Sequence, residues 1–300
     1  MLKVLILSVN DWANLGYTFS QCLKEIGIEA KSLTQYANPR YRDVAILANT
    51  KDMKREAIEA DVIQFMHSKH INLGIKFDGK KVFVFHGGSK YRHNSNKLNE
   101  VFNPIINRAI IQTGDLFDLG AKDEVWLLPP VDTNNIIPCY DKYINDKLII
   151  GHFPSSSLEK GSHIINGVMS KMIYLNKDIL YLNDDLKVDW KENLKRISMC
   201  DIYIEQMRWG EWGITALEAA ALGKIVITNF KSLDRYNKEY GNCELVVANN
   251  DVELYHAIKS LMSMNPIEIE NKKRLTREWV ETNHCYKAIG NRLNEIYIEG

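Results

Sequence analysis

The sequence lacks a cysteine framework. Its five cysteines, Cys22, Cys139, Cys200, Cys243 and Cys285, are odd in number, widely spaced and in no C-x-x-C arrangement, so they suggest neither a disulfide scaffold nor a zinc site. They read as reduced thiols of a cytoplasmic protein. An excess of either charge is also missing: 38 Lys and Arg balance 38 Asp and Glu, so no overall field draws the chain to nucleic acid or to an anionic membrane. A local basic patch stays open. No apolar run approaches the roughly 20 residues of a membrane span. The short opening run, MLKVLILSVND, ends in Asn10 and Asp11 without a small-residue cleavage site and reads as a first strand rather than a signal peptide. Internal repeats, low-complexity segments and a G-x-G-x-x-G dinucleotide fingerprint are absent as well.

What is present is an ordinary globular balance. The chain has 300 residues, 45% hydrophobic and 25% charged, enough for two domains that each bury a core. Strand-like and helix-like segments alternate, the pattern of parallel sheets with helical crossovers. Strands are expected at Leu2–Val9, Glu29–Leu33, Asp61–Phe65, Lys81–Phe85, Ala109–Gln112 and Glu124–Leu127, and a helix over Phe19–Ile26 with Gly27 as its stop. Leu127–Tyr140 holds three of the seven prolines and little periodicity, which makes it the linker candidate. Beyond it the alternation restarts, with strands at Leu148–Phe153, Ile179–Leu182, Asp201–Ile204, Ile225–Thr228 and Glu244–Val247. The tail, Val252–Ile298, is helical in pattern, with Pro266 separating two segments.

The most informative stretch is Met199–Asn229, MCDIYIEQMRWGEWGITALEAAALGKIVITN. It reads as a strand, a glycine-interrupted loop over Trp209–Gly213, a helix over Ile214–Leu222 carrying one acid, Glu218, and a second strand entered through Gly223. Gly213 leaves room for a phosphate to approach the backbone, and the free N–H groups of the following helix suit an anion.

This stretch resembles the donor-site signature of retaining, GT-B-fold glycosyltransferases related to glycosyltransferase family 4, the glycosyl transferases group 1, written E-x-F-G-x-x-x-x-E-A-x-A-x-G-x-P-V. Gly213, Glu218, Ala219, Ala221, Gly223 and Val226 stand at the matching positions. The family carries two glutamates eight positions apart, and eight before Glu218 lies Gly210, with Glu211 one place late. Glu205, Gln206 and Glu211 therefore compete for the sugar-facing role of the first glutamate, with backbone amides from Gly210 to Gly213 beside them. By the resemblance, Glu218 hydrogen-bonds both ribose hydroxyls, for which a carboxylate is a suitable bidentate acceptor.

Three further loops follow strands. In Gly151–Gly161, GHFPSSSLEKG, serines, a cation and a helix start converge, which suits a pyrophosphate or, more plainly, a capped helix. The spacing resembles the family's G-R-x(n)-K-G motif and implies phosphate binding by Lys160 with Ser155 and Ser156. His152 stands where arginine is common, and a neutral imidazole cannot replace a permanently charged fork. In Val82–Arg92, VFVFHGGSKYR, a strand runs into His86, Gly87 and Gly88 at the sheet edge where α/β proteins bind ligands. A lone histidine is more often structural, but related enzymes place one here beside the donor sugar. Lys90 and Arg92 are weaker candidates for anionic groups, and His93 equally suits the surface. In Ser8–Gly16, SVNDWANLG, Gly16 fits a small-residue loop against the donor phosphates, while Asn10, Asp11 and Trp12 are candidates for the acceptor side.

The resemblance implies an α/β, GT-B architecture: an acceptor-side Rossmann-like lobe, 1–135 braced by 284–300, facing a donor lobe, 136–283, across a cleft, with the C-terminal helix, Tyr286–Ile298, crossing back. It implies a metal-independent, retaining transfer of sugar from a nucleoside-diphosphate sugar to a hydroxyl acceptor. His86 and Lys160 are the catalytic candidates; Gly16, Gly87, Ser155, Ser156, Lys160, Gln206, Gly210, Glu211, Trp212, Gly213, Ile214 and Glu218 are the donor-binding ones. No cofactor or metal is expected beyond a UDP- or GDP-sugar co-substrate. The chain has no D-x-D motif, and Asp184 and Asp185 read as a solvated turn. A glycan, a lipid-linked glycan or, as a minority view given the neutral charge, a modified nucleobase is the acceptor. The location expected is cytoplasmic, with peripheral membrane attachment left open. The rivals are a non-catalytic nucleotide-sugar-binding protein and a nucleotide-sugar epimerase on the same scaffold.

Overall fold

The computed structural model describes residues 2–37, 44–140 and 147–300. The chain divides into two compact units, Met1–Pro130 with His284–Gly300, and Val131–Asn283. The first unit is built on strands β1 (Lys3–Asn10), β2 (Glu29–Tyr36), β3 (Val62–Phe65), β4 (Lys81–His86), β5 (Arg108–Ile111) and β6 (Glu124–Trp126), all parallel, in the order β2-β1-β3-β4-β5-β6. Helices α1 (Leu15–Glu25), α2 (Thr50–Glu59) and α3 (Gly88–Phe102) are the crossovers. VIQF in β3 is buried at every position, because a parallel sheet covered on both faces needs continuous rather than alternating apolar runs. Leu5, Ile63, Phe65, Val84, Phe102 and Ile111 form the core on one face of this sheet. Strand order reverses between β1 and β3, which brings the loops after them to the place where open α/β sheets bind ligands.

The second unit carries β7 (Leu148–His152), β8 (Ile179–Asn183), β9 (Ile202–Ile204), β10 (Ile225–Thr228) and β11 (Val246–Val247), parallel in the order β11-β10-β9-β7-β8. Its helices are α4 (Ser157–Lys160), α5 (Ser162–Leu175), α6 (Trp190–Ser198), α7 (Ile214–Ala221), α8 (Leu233–Tyr240), α9 (Asp251–Met262) and α10 (Pro266–His284), whose last residue, His284, belongs to the first unit. The order reverses between β7 and β9, and the loops after those strands carry Lys160 and Gly213. At the opposite end of the sheet, Asp201 fixes the start of β9: one oxygen accepts the Ile149 N–H at 3.0 Å and the other pairs with Lys273 of α10 at 2.6 Å. The stretch expected as a linker is held in place. Arg277 donates to the carbonyls of Thr133 at 2.7 Å and Ile136 at 2.9 Å, and the unit boundary falls inside it at Pro130.

The helical tail breaks twice. Pro266 opens α10, where a missing N–H does no harm. The second break, at Cys285, has no proline or glycine to announce it and begins α11 (Tyr286–Glu299), which belongs to the first unit. Gly290 lets α11 approach α1, since a Cβ there would lie 2.2 Å from the Cys22 carbonyl oxygen. The Tyr297 hydroxyl donates to Gln64 at 2.7 Å, and Lys81 caps the helix by donating to the carbonyls of Tyr297 and Ile298. No described helix is long and apolar enough to cross a membrane.

Candidate functional site

In the second unit, three strand ends supply one polar cluster. The loop after β7 turns through the short helix α4 and ends in Lys160, whose ammonium pairs with the Glu205 carboxylate at the end of β9. Thr228, the last residue of β10, donates its hydroxyl to the other Glu205 oxygen at 3.2 Å. Glu205 is enclosed, with no side-chain exposure, while Lys160 keeps 20%. Gly161, at φ 69°, ends α4 and starts α5, and the Met207 N–H donates to the Lys160 carbonyl at 3.0 Å, so the two loops are stitched together. Gly213 faces this ion pair: a Cβ there would lie 3.0 Å from Glu205 Oε1 and 3.3 Å from Lys160 Nζ. It is the N-cap of α7 and has no side chain with which to cap the helix. The first amides of an α-helix have no intrahelical acceptor and carry the positive end of its dipole. An ammonium and an uncapped helix start thus converge at the sheet's reversal point, an arrangement suited to a polyanion.

Glu218 lies one turn into α7, and its Oε1 accepts the Trp190 indole N–H at 2.5 Å from the first residue of α6. His152 ends β7 in a fully internal position. A carbonyl only accepts, so His152 Nδ1–H donates to Ile204 O at 2.8 Å, and Nε2 accepts from the Ser162 hydroxyl at 2.8 Å. Burial, chiefly, pushes its pKa down to about 4, and the ring is a neutral staple between β7, β9 and α5 rather than a phosphate ligand. Ser156 caps α4 and Ser155 is exposed, its carbonyl accepting from Lys187.

The residues competing for the first-glutamate role separate clearly. Glu205 is internal and paired with Lys160. Glu211 is buried and accepts from the Ser232 hydroxyl. Gln206 is buried, with its Oε1 facing the Trp209 N–H at 3.5 Å. Trp212 packs edge-on against Phe230, Tyr236 and Trp279 in an aromatic core. Gly210, at φ 80°, has Lys231 against it, where a Cβ would lie 2.7 Å from the lysine Cδ. Ile214 is half-buried at the start of α7. Asp184 accepts the Leu186 N–H at 3.0 Å and pairs with Arg196, so the expected solvated turn is pinned at that residue. Among the described residues no group of three or more His, Cys, Asp or Glu is arranged to hold a metal ion.

In the first unit, the loop after β1 is closed on itself. The Asp11 carboxylate accepts the Gly16 N–H at 2.8 Å and the Tyr17 N–H at 2.9 Å, so the amide expected to meet a phosphate at Gly16 is already bonded. His67, after β3, approaches the same carboxylate through Nε2 at 3.3 Å. His67 and Ser68 are consecutive left-handed residues, at φ 56° and 54°, a strained conformation that side chains seldom adopt. His86 is fully internal, stacked on Tyr91 with ring centroids 3.9 Å apart, its Nδ1 2.9 Å from the Ser68 hydroxyl; burial pushes its pKa down to about 3. Gly87 is filled by Gln112, whose Oε1 is 2.1 Å from a would-be Cβ. Lys90 donates to the Ser68 carbonyl at 3.1 Å and Arg92 pairs with Asp115 at 2.5 Å. His93 is exposed and Trp12 half-exposed.

Residues 177–278, which contain α6, the Glu205 loop and α7, match the family model of glycosyl transferases group 1. Solved structures extend the likeness along the chain. Sucrose-phosphate synthase from Thermosynechococcus elongatus superposes with a TM-score of 0.67 at 13% identity, covering 99% of this chain and 98% of that one. HepE of Anabaena, solved with UDP-glucose, gives 0.67 at 13% identity and full coverage of both chains. A glycosyltransferase from Rickettsia africae gives 0.64 at 12% identity, over 99% and 98%. The fold is that of a GT-B glycosyltransferase. Curated protein sequences contain no match to this one. Two polar contacts were not legible in the sequence, that of His67 with Asp11 in the first unit and that of Trp190 with Glu218 in the second. His67 had a signal, since it follows a strand's carboxyl end as His86 does; Trp190 had none, because its partner Glu218 is 28 residues away.

Proposed function

We propose that the second unit binds the diphosphate and ribose of a nucleoside-diphosphate sugar, and that the chain transfers the sugar to a hydroxyl acceptor with retention of anomeric configuration. The observation that carries this reading is the convergence of the Lys160 ammonium and the uncapped start of α7, with Glu218 one turn further on. As the bond from the sugar's anomeric carbon to the phosphate breaks, charge grows on the diphosphate oxygens. Lys160 and the α7 amides stabilise that charge in place, without reorganisation at the moment of reaction. The acceptor oxygen bonds to the anomeric carbon from the same face, and its proton passes to the departing diphosphate. Glu218, oriented by Trp190, takes the ribose hydroxyls.

His86 serves this reading from behind the surface, holding Ser68 and Tyr91, and Gly87 accommodates Gln112 rather than a sugar. UDP-glucose in the HepE structure favours a uridine donor as the first to try. The test is incubation with UDP- and GDP-sugars against glycan, lipid-linked and DNA acceptors, with product configuration read by NMR. Transfer with the donor's anomeric configuration is expected. An inverted product refutes retention, donor epimerised without an acceptor marks an epimerase, and binding without any nucleotide release marks a binding protein.

A further inference from the structure

We propose that Glu205 is a built-in counter-charge of the anion site, which positions the Lys160 ammonium and lowers the affinity of the site for the leaving nucleoside diphosphate. The inference rests on the donor-site reading above. Nothing in that reading requires an acid here, and the family's first glutamate belongs five residues later, at Gly210. Yet the carboxylate is completely enclosed and points at the same spot as the lysine. A desolvated carboxylate is retained only with strong partners. Glu205 has both: the Lys160 ammonium on Oε1 and the Thr228 hydroxyl on Oε2. Gly213 completes the arrangement, because any side chain there would press on both charges.

The charge balance then has a direct consequence. An ammonium beside the positive end of α7 would hold a diphosphate tightly and release it slowly. One negative charge within a few ångströms, screened little because it is buried, offsets part of that attraction. It acts on every phosphate-bearing ligand and on nothing else in the nucleotide. Glu205 touches no substrate; it works through Lys160.

Glu205→Gln isolates the charge. The amide oxygen still accepts from Lys160 and the amide nitrogen still reaches the Thr228 oxygen, while the negative charge is gone. UDP and uridine binding are measured by calorimetry for the wild type and for Glu205→Gln, Lys160→Ala and Thr228→Val. Glu205→Gln is expected to bind UDP about tenfold more tightly, with a steeper loss of affinity as salt rises and unchanged affinity for uridine. Unchanged or weakened UDP binding with uridine unaffected overturns the proposal. If Glu205→Gln does not fold, Thr228→Val decides: with the hydroxyl's hydrogen bond gone, the Glu205 charge is less screened beside Lys160, and UDP should weaken a few-fold relative to uridine. A constant ratio there also overturns it. Lys160→Ala separates the two levels of the argument. If it leaves UDP affinity unchanged, the donor-site reading fails and takes this inference with it; if it weakens UDP while Glu205→Gln gives no gain, only the counter-charge role falls.

Discussion

Two helices begin at a reversal point of a parallel sheet, α1 in the first unit and α7 in the second, and they treat their first amides in opposite ways. At α1, Asp11 reaches forward and accepts from both Gly16 and Tyr17, so the dipole and two free N–H groups are satisfied internally. At α7, Gly213 has no side chain to reach back, and the nearest cation, Lys160, has the wrong sign for a helix start. The first arrangement is complete without a ligand. The second is left electrostatically unfinished, relieved in part by Glu205, and on the proposed reading an incoming anion completes it. A helix N-terminus at a sheet's reversal point is therefore not a binding site by position; the capping side chain decides.

Breaking the unfinished end should have the largest effect. Lys160→Ala is expected to lower turnover by about 10² to 10³, the scale of losing one charge-stabilising group, and to lower the thermal midpoint as well, because the enclosed Glu205 carboxylate loses its ionic partner. Full activity in steady-state assays would remove Lys160 from the chemistry. Breaking the finished end should cost stability alone. Asp11→Ala strips the acceptor from two amides and from His67, and urea unfolding should show a loss of about 2–3 kcal/mol with UDP affinity intact. Normal stability with lost nucleotide binding would invert the comparison.

The mildest probe is pH. His86, His152 and His284 are held neutral by burial, with pKa values of about 3, 4 and 4. Each titrates near 6.5 when unfolded, so below that value the unfolded chain takes up protons that the folded chain refuses. Their stabilising contribution is complete above about pH 6.5 and is lost as pH falls toward the folded values, at about 1.4 kcal/mol per pH unit for each histidine. His86 and His284 belong to the first unit and His152 to the second. The Asp11 unit should therefore be the more acid-sensitive one in urea unfolding at pH 7, 6 and 5, and His152→Gln should flatten only the second unit's response.

The strands were readable because each is a short β-branched or apolar run between turn residues: Ile225–Thr228 appears as expected, and Lys3–Asn10 is shifted by one residue from Leu2–Val9. The break at Cys285 has no helix-breaking residue, since the thiol caps α11 through Ala288 N–H, and only the resemblance placed a last helix at Tyr286–Ile298, where α11 (Tyr286–Glu299) stands. Within the candidate site, Lys160 and Glu218 stood out because the local motifs around them, K-G and E-A-x-A-x-G, resemble the family's donor signature. The fates of Glu205 and Glu211 were hidden, because they depend on Thr228 and Ser232, beyond α7 in sequence. Likewise the hydrogen bonds that occupy Gly16 and enclose His86 come from residues whose meeting is fixed only by strand order.

The placement of α11 has a consequence for how the chain is made. Residues 286–299 leave the ribosome after the whole of the second unit, yet they cover α1 and tie down β4 through Lys81. During synthesis the N-terminal sheet must wait with one helix face uncovered, while the later-made unit already has all its segments. The first unit can therefore be completed only after the second has been made, and until then its α1 face stays uncovered.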